Sequence, residues 1–245
     1  MAGKQIAIEL DQLSVTRDSQ RDWHRVVVSR RVSIDLFKDL VDDADDQSIL
    51  VAHEIATKPC QAESPLTSRP FEESEIYDPI ANAISWPFEH PSWSRFSSGA
   101  FGVWYGGDSL LTSIHETVYH FRIDTLASSA VESGSVVVQE RRAHLVACTA
   151  ALLDLRPHVA REPRLIDPHD YSTCQALGAQ IYHAALPGVL NQSARYADGH
   201  IAGVFIRDAL INPRMVCYLT YFLDVDSGKV RVERERGRTL LEIAA

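Results

Sequence analysis

Ten histidines and four cysteines supply the side chains that most often bind zinc and other transition metals. The cysteines are separated by 88, 26 and 43 positions, so the chain has no CxxC pair. HExxH is absent, and His115 and His120 are five positions apart, so they do not share a helix face as an i, i+4 pair would. The spacing therefore does not favour a metal enzyme, and we expect no metal site.

A second group of polar residues surrounds Glu116 in the segment DSLLTSIHETVYHFR. Its apolar residues recur at helical intervals, and Glu116 lies off that stripe, on the same side as Thr112 and His120, each four residues away. Taken alone, such a glutamate is most often a solvated surface residue. The motifs GxxxxGK[ST], GxGxxG and GxSxG are all absent, so P-loop, dinucleotide-fold and hydrolase chemistry lack their local signatures.

The elements that must position Glu116 can be predicted from the local pattern. FGVWY at 101–105 is a short β-rich run closed by two glycines, and Asp108 and Ser109 follow as candidate N-caps. We therefore expect a strand and then a helix that begins directly after it. The stripe that this helix should bury consists of Leu111, Ile114, Val118 and Phe121.

Strands and helices alternate irregularly along the rest of the chain. A helix capped by Asp170 should begin at that residue. Six prolines between residues 57 and 93 predict irregular structure there, and the five aromatic residues among them suggest core cover or a pocket wall. The strand-like segments are 135–139, 144–148, 200–206, 215–225 and 230–243. This order predicts an α+β fold in which helices flank a mixed sheet.

The composition excludes several classes of protein. The 245 residues are 45% hydrophobic and 23% charged, as in ordinary globular proteins. The net charge of −9 argues against direct nucleic-acid binding. No apolar run approaches the ~20 residues that cross a bilayer, and the N-terminus lacks the layout of a signal peptide. We therefore expect a cytoplasmic protein without membrane contact.

The segment RFSSGAFGVWYGGDSLLTSIHETVYH resembles the signature of the RES-domain family, the toxin components of bacterial RES–Xre toxin–antitoxin pairs. The family has an Arg in a Gly-rich turn, a Tyr about ten residues on and a Glu eleven beyond it. Arg95, Tyr105 and Glu116 reproduce these steps of 10 and 11. A later block, PGVLNQSARYADGHIAGVFIRDAL, resembles the family's Ser-Arg pair followed by Gly and a strand, and it places Ser193 as the family serine.

The resemblance also suggests how the chain is divided. It assigns residues 61–245 to the RES domain and leaves residues 1–60 as an N-terminal α/β extension. Where the family usually has Arg-Trp-Asn, this chain has Arg95-Phe96-Ser97, preceded by Trp93-Ser94. Local contacts around this arginine are therefore expected to differ from those of relatives.

The resemblance implies an ADP-ribosyltransferase-like fold and an enzyme that consumes NAD⁺ as a substrate, with no cofactor. Glu116 would stabilise the cation formed as the nicotinamide–ribose bond breaks, and Arg95 would bind the pyrophosphate. Tyr105 would stack on nicotinamide or hydrogen-bond to ribose, and Ser193 would donate to a ribose hydroxyl or to the nicotinamide amide. We expect these four residues to line one cleft, with aromatic residues of 71–93 on its rim.

Three further residues are weaker candidates. Arg69, in TSRPF, is the nearest equivalent of an upstream arginine that many relatives use for binding. His120 and Arg195 are secondary candidates, as compatible with structural roles as with functional ones.

Three functions remain open at this level. The leading hypothesis is an NAD glycohydrolase or phosphorylase that acts as a toxin, with water or inorganic phosphate as acceptor, and that is covered by an Xre-like antitoxin. The second is a protein ADP-ribosyltransferase, because a side chain at the pocket mouth could capture the same intermediate. The third is a non-catalytic interaction protein that keeps only the fold.

Overall fold

The computed structural model describes residues 8–29, 82–129 and 131–245. Within these ranges ten strands form one sheet, and three α-helices accompany it. The strands are β1 Ser14–Thr16, β2 Asp22–Val28, β3 Trp104–Gly107, β4 Val136–Cys148, β5 Leu152–Asp154, β6 Gly188–Gln192, β7 His200–Val204, β8 Leu210–Asp224, β9 Val230–Glu235 and β10 Arg238–Ile243. The helices are α1 Asn82–Glu89, α2 Leu110–Leu126 and α3 Ser172–His183. None of these helices has the length and apolarity needed to span a membrane.

The strand order is β1-β5-β6-β7-β3-β2-β4-β8-β9-β10. β5 and β6 are parallel and the other neighbouring pairs are antiparallel, which confirms the predicted α+β class with a mixed sheet and flanking helices. β1 pairs with β5 at one edge, and β2 lies between β3 and β4 in the middle. Residues 14–28 therefore belong to the same sheet as the rest, while the predicted boundary at residue 60 falls outside the described residues.

Helix α2 begins where the sequence predicts. The Ser109 hydroxyl accepts a hydrogen bond from the Thr112 amide at 3.0 Å and caps the helix. Ile114, Val118 and Phe121 are buried as expected. The prediction is wrong for Leu111, which is exposed. The core-facing stripe instead begins one residue earlier, at Leu110, because a step of about 100° per residue turns Leu111 away from the sheet.

The segments 135–139 and 144–148, predicted as two strands, form the single strand β4. The intervening Arg141 is buried beneath aromatic rings, 4.9 Å from the ring centre of Tyr221 and 5.7 Å from that of Phe121. Aromatic faces attract a guanidinium, and this contact lets a charged residue occupy the inner face of a central strand. A register shift against β8 falls between Ala143 and His144, where the strand bulges.

Helix α3 begins at Ser172, two residues after the predicted start. The Asp170 carboxylate still accepts the Ser172 amide hydrogen at 2.9 Å. Further along the helix, a Cβ at Gly178 would lie 2.0 Å from the carbonyl oxygen of Phe96. Glycine is required at this position because the helix backbone packs directly on the turn that contains Phe96.

Helix α1 contradicts the expectation of irregular structure where it falls within residues 57–93. It contains Pro87, which has no N–H to donate to the Ala83 carbonyl. The indole of Trp104 donates to that carbonyl at 2.8 Å and replaces the missing hydrogen bond. The part of this segment before residue 82 lies outside the described residues.

Candidate active site

A cavity of about 410 Å³ is lined by residues of β2, β3, α2 and the turn at 93–95. The ladder between β2 and β3 consists of one residue pair, His24 with Gly107, and both residues line the cavity. Arg95, Tyr105 and Glu116 also line it. Three of the four predicted site residues are therefore brought together by a turn, a strand and a helix.

Arg95 is buried at the cavity wall. Its Nη1 donates to the backbone carbonyl of Asp167 at 2.9 Å and to that of Leu165 at 3.4 Å. The guanidinium also lies over the ring of Tyr171, 4.4 Å from its centre. Among the described residues no carboxylate forms an ion pair with Arg95. A buried cation held by carbonyls and a ring, without an anionic side chain, is suited to an anionic ligand.

The turn that carries Arg95 is fixed by hydrogen bonds from two directions. The Tyr105 hydroxyl accepts the amide hydrogen of Phe96 and donates to the Ser94 hydroxyl, both at 3.0 Å. Burial raises the pKa of Tyr105 far above its usual value, so this hydroxyl remains a donor. Gln175 of α3 donates to the Ser94 carbonyl at 2.9 Å. Because the Tyr105 hydroxyl is engaged within the protein, its ring is the part left to contact a ligand.

Glu116 is held by the fourth predicted residue. The Ser193 hydroxyl donates to Oε1 of Glu116 at 2.6 Å. The same oxygen of Ser193 accepts the amide hydrogens of Arg195 at 3.1 Å and Tyr196 at 3.0 Å. These two donors occupy the lone pairs of the hydroxyl, so its own hydrogen points to the carboxylate. Ser193 is buried and does not line the cavity, and it therefore contacts Glu116 where a direct contact to a ligand was expected.

Arg25 is a cavity residue that the sequence analysis missed. It projects from β2, and its Nη1 donates to the Tyr105 carbonyl at 3.0 Å. Burial lowers the pKa of Arg25 to about 10, so the side chain remains charged at neutral pH. Within the described residues, its buried Nε has no hydrogen-bond partner. The available signal was the alternation in DWHRVVV, in which an arginine shares a strand face with the buried Trp23.

The two secondary candidates occupy different places. His120 lines the cavity one helical turn after Glu116. Arg195 does not line it, but its Nη2 donates to the Tyr171 hydroxyl at 3.0 Å, and its guanidinium lies 3.2 Å from the ring centre of Tyr119. Arg195 thus contacts the residue on which Arg95 packs. Arg69 lies outside the described residues.

One of the aromatic residues expected on the rim is present there. Trp93 lines the cavity, whereas Trp86 and Phe88 of α1 do not. Phe71 and Tyr77 lie outside the described residues. Tyr171, which precedes α3, also contributes its ring to the wall, in addition to Trp93 and Tyr105.

The comparison with protein families agrees with the motifs at this site. Residues 70–224 match the family model described as RES domain. No curated protein matches the sequence significantly. Among solved structures, a similar chain comes from the crystal structure of the M. tuberculosis MbcT–MbcA toxin–antitoxin complex, with 20% identity, 50% of this chain and 71% of that chain covered, and a TM-score of 0.36. Because the family match spans more than half of its length, the chain belongs to the RES-domain family.

Proposed function

We propose that this chain cleaves the bond between nicotinamide and ribose in NAD⁺, with water or inorganic phosphate as acceptor. The observation that carries the proposal is that one cavity is lined by two opposite charges, Glu116 and Arg95, that do not form an ion pair with each other. Glu116 is held there by the Ser193 hydroxyl at 2.6 Å, and the buried Arg95 has no carboxylate partner among the described residues. A substrate that carries both a diphosphate and a developing positive charge matches this arrangement.

The reaction requires a negative charge near the sugar. When the bond between C1′ and the pyridinium nitrogen breaks, its electron pair leaves with nicotinamide, which becomes neutral. Positive charge then spreads over C1′ and the ring oxygen, and the Glu116 carboxylate stabilises it more strongly than it stabilises the ground state. An oxygen of water or phosphate forms the new bond to C1′, and water loses its extra proton to solvent.

The remaining wall supplies binding. In this proposal the Arg95 guanidinium donates hydrogen bonds to the diphosphate, and Arg25, which also lines the cavity, adds a second positive charge. The ring of Tyr105 offers a flat face for nicotinamide, since its hydroxyl is engaged by the turn. In this proposal Ser193 orients Glu116 through its hydrogen bond and does not contact the substrate.

We further propose that the chain is the toxin of a toxin–antitoxin pair, as its family membership suggests, and that an Xre-like antitoxin covers this cavity. Loss of NAD⁺ would then arrest growth when the chain is produced without its partner. The proposal places the protein in the cytoplasm, where NAD⁺ is available.

Glu116→Gln tests the catalytic step because it keeps the shape of the side chain and removes its charge. Unit charges about 4 Å apart at an effective dielectric constant of 20 interact by about 4 kcal/mol, so kcat should fall on the order of a thousandfold while NAD⁺ binding is kept. Nicotinamide release by purified protein is the measurement. Glu132→Gln, at an exposed glutamate outside the cavity, is the control and should leave the rate unchanged.

The products separate the alternatives. Free ADP-ribose identifies water as the acceptor, and a phosphorylated ADP-ribose that forms only with added phosphate identifies phosphate. ADP-ribose bound to protein would support the transferase hypothesis instead. Equal nicotinamide release by wild type and Glu116→Gln would refute the mechanism, and no release by wild type would leave the non-catalytic hypothesis.

A further inference from the structure

Trp93 is an unusual feature of the cavity wall. Of the four tryptophans in the chain, Trp23 and Trp104 are buried. Trp86 and Trp93 are exposed, and within the described residues Trp93 is the one tryptophan that lines the cavity. Its side chain is 60% exposed. Ligand pockets are lined mainly by apolar and aromatic side chains with a few polar groups, and an exposed indole at the mouth of this cavity fits that pattern.

The indole of Trp93 is also held in a defined orientation. It stacks on the ring of Tyr171, with ring centres 4.8 Å apart and planes inclined by 19°. Tyr171 is buried and is the same ring over which the Arg95 guanidinium lies at 4.4 Å. Trp93 and Arg95 therefore both pack on the ring of Tyr171, so the exposed indole lies close to the guanidinium that is suited to a phosphate.

We propose that Trp93 forms a base-stacking subsite at the cavity mouth, and that its ligand is the adenine ring of the dinucleotide substrate. This inference rests on the proposed function. Nicotinamide must lie near Glu116 and the diphosphate near Arg95, which directs the adenosine half towards the mouth. The cavity volume of about 410 Å³ is at the lower end of the range for drug-sized ligands, about 300–1,000 Å³, and a dinucleotide is larger than most of these. The adenosine half of the substrate, beyond the diphosphate, therefore contacts the rim of the cavity.

The chemistry of the ring fits this ligand. An indole face binds any flat heteroaromatic ring by stacking and needs no base-specific hydrogen bond. The subsite should therefore select for the presence of a base more than for its identity. Trp93 would be a specificity-determining residue that acts on binding, not on bond cleavage.

The test compares Trp93→Ala and Trp93→Phe with the control Trp86→Ala, which removes an exposed tryptophan outside the cavity. For NAD⁺ cleavage, Trp93→Ala should raise KM about tenfold with kcat kept, and Trp93→Phe should recover most of the loss. Nicotinamide mononucleotide has the same scissile bond and no adenine, so its kcat/KM should be equal in wild type and Trp93→Ala. Trp86→Ala should behave as wild type with both substrates.

Binding measurements distinguish stacking from a disturbance of Arg95 through Tyr171. By calorimetry, Trp93→Ala should bind ADP about tenfold more weakly than wild type and bind inorganic pyrophosphate equally well. Equal weakening for both ligands would overturn the subsite, as would unchanged KM and ADP affinity. If wild type binds ADP through Trp93 but releases no nicotinamide, the proposed function fails and the subsite stands. If NAD⁺ is cleaved equally by wild type and Trp93→Ala, the subsite fails and the function stands.

Discussion

Removal of the Ser193 hydroxyl would test the positioning of Glu116 while leaving the charge of Glu116 in place. In Ser193→Ala the carboxylate keeps its charge but loses the donor at 2.6 Å. The amides of Arg195 and Tyr196 lose their acceptor at the same time. We therefore expect both a slower reaction and a less stable protein, from two separate consequences of one substitution.

The size of each effect follows from the contacts. A hydrogen bond to a charged group contributes about 1.5–3 kcal/mol, so kcat for nicotinamide release should fall about ten- to a hundredfold, less than in Glu116→Gln. KM should stay unchanged, because Ser193 does not line the cavity. The two amides are partly buried, so leaving one unpaired costs at most about 1–3 kcal/mol, and in a chain of this size each kcal/mol lowers Tm by about 2–4 °C. Steady-state kinetics and thermal denaturation measure the two effects.

Ser19→Ala is a matched control at a distance from the cavity. Ser19 is also buried, and its hydroxyl donates to the Ala150 carbonyl at 2.8 Å and accepts the Leu152 amide hydrogen at 3.1 Å. The Ser19→Ala substitution should lower Tm without changing kcat. If Ser193→Ala lowers Tm and leaves kcat intact, as the control does, the positioning role is refuted. A raised KM with unchanged kcat would instead show that Ser193 contacts the substrate.

Two further predictions concern binding and stability. Arg95→Ala should weaken NAD⁺ binding by about 1.5–3 kcal/mol in calorimetry. Arg95→Lys should recover only part of the lost affinity, because lysine lacks the paired donors of arginine. Equal affinity of wild type and Arg95→Ala would reject the phosphate-binding role. His144 is buried, and neither of its ring nitrogens has a hydrogen-bond partner in the part of the chain that the structure describes. Burial lowers the pKa of His144 to about 4. In the unfolded chain His144 binds a proton below about pH 6.5. The free energy of unfolding should therefore fall between pH 6.5 and 4, by about 2 kcal/mol at pH 5. Denaturation experiments at pH 7.5 and 5 measure this fall, which should be smaller in His144→Leu.

The elements that carry the site could be predicted where the signal is local. The start of α2 follows from the Ser109 cap, which acts on an amide three residues away. The orientation of Glu116 follows from the period of the helix that contains it. The link from Glu116 to Ser193 spans 77 positions, and only the family resemblance brought the two residues together in advance.

The other contributors to the site depend on long-range packing. Arg25 reaches the cavity because β2 inserts between β3 and β4, although about 80 residues separate it from β3 in the chain. Tyr171 lies beside Arg95 because α3 packs on the turn through Gly178. The sequence predicts two strands where β4 is one, because the rings that stabilise its buried Arg141 come from other elements of the fold. The alternation in DWHRVVV indicates the strand face of Arg25, but no periodic pattern in the sequence indicates which distant residues these side chains contact.

The central place of β2 bears on how the protein can be divided. A fragment cut at the limits of the family match, residues 70–224, would lack β1, β2, β9 and β10. Its β3 and β4 would become open edges in the middle of the sheet, and β8 would lose its outer neighbour. Unpaired strand edges invite association with other chains. The cavity would also lose the wall formed by His24, Arg25 and Val26. The segment by which the family is detected is thus smaller than the segment that forms the sheet and the cavity wall.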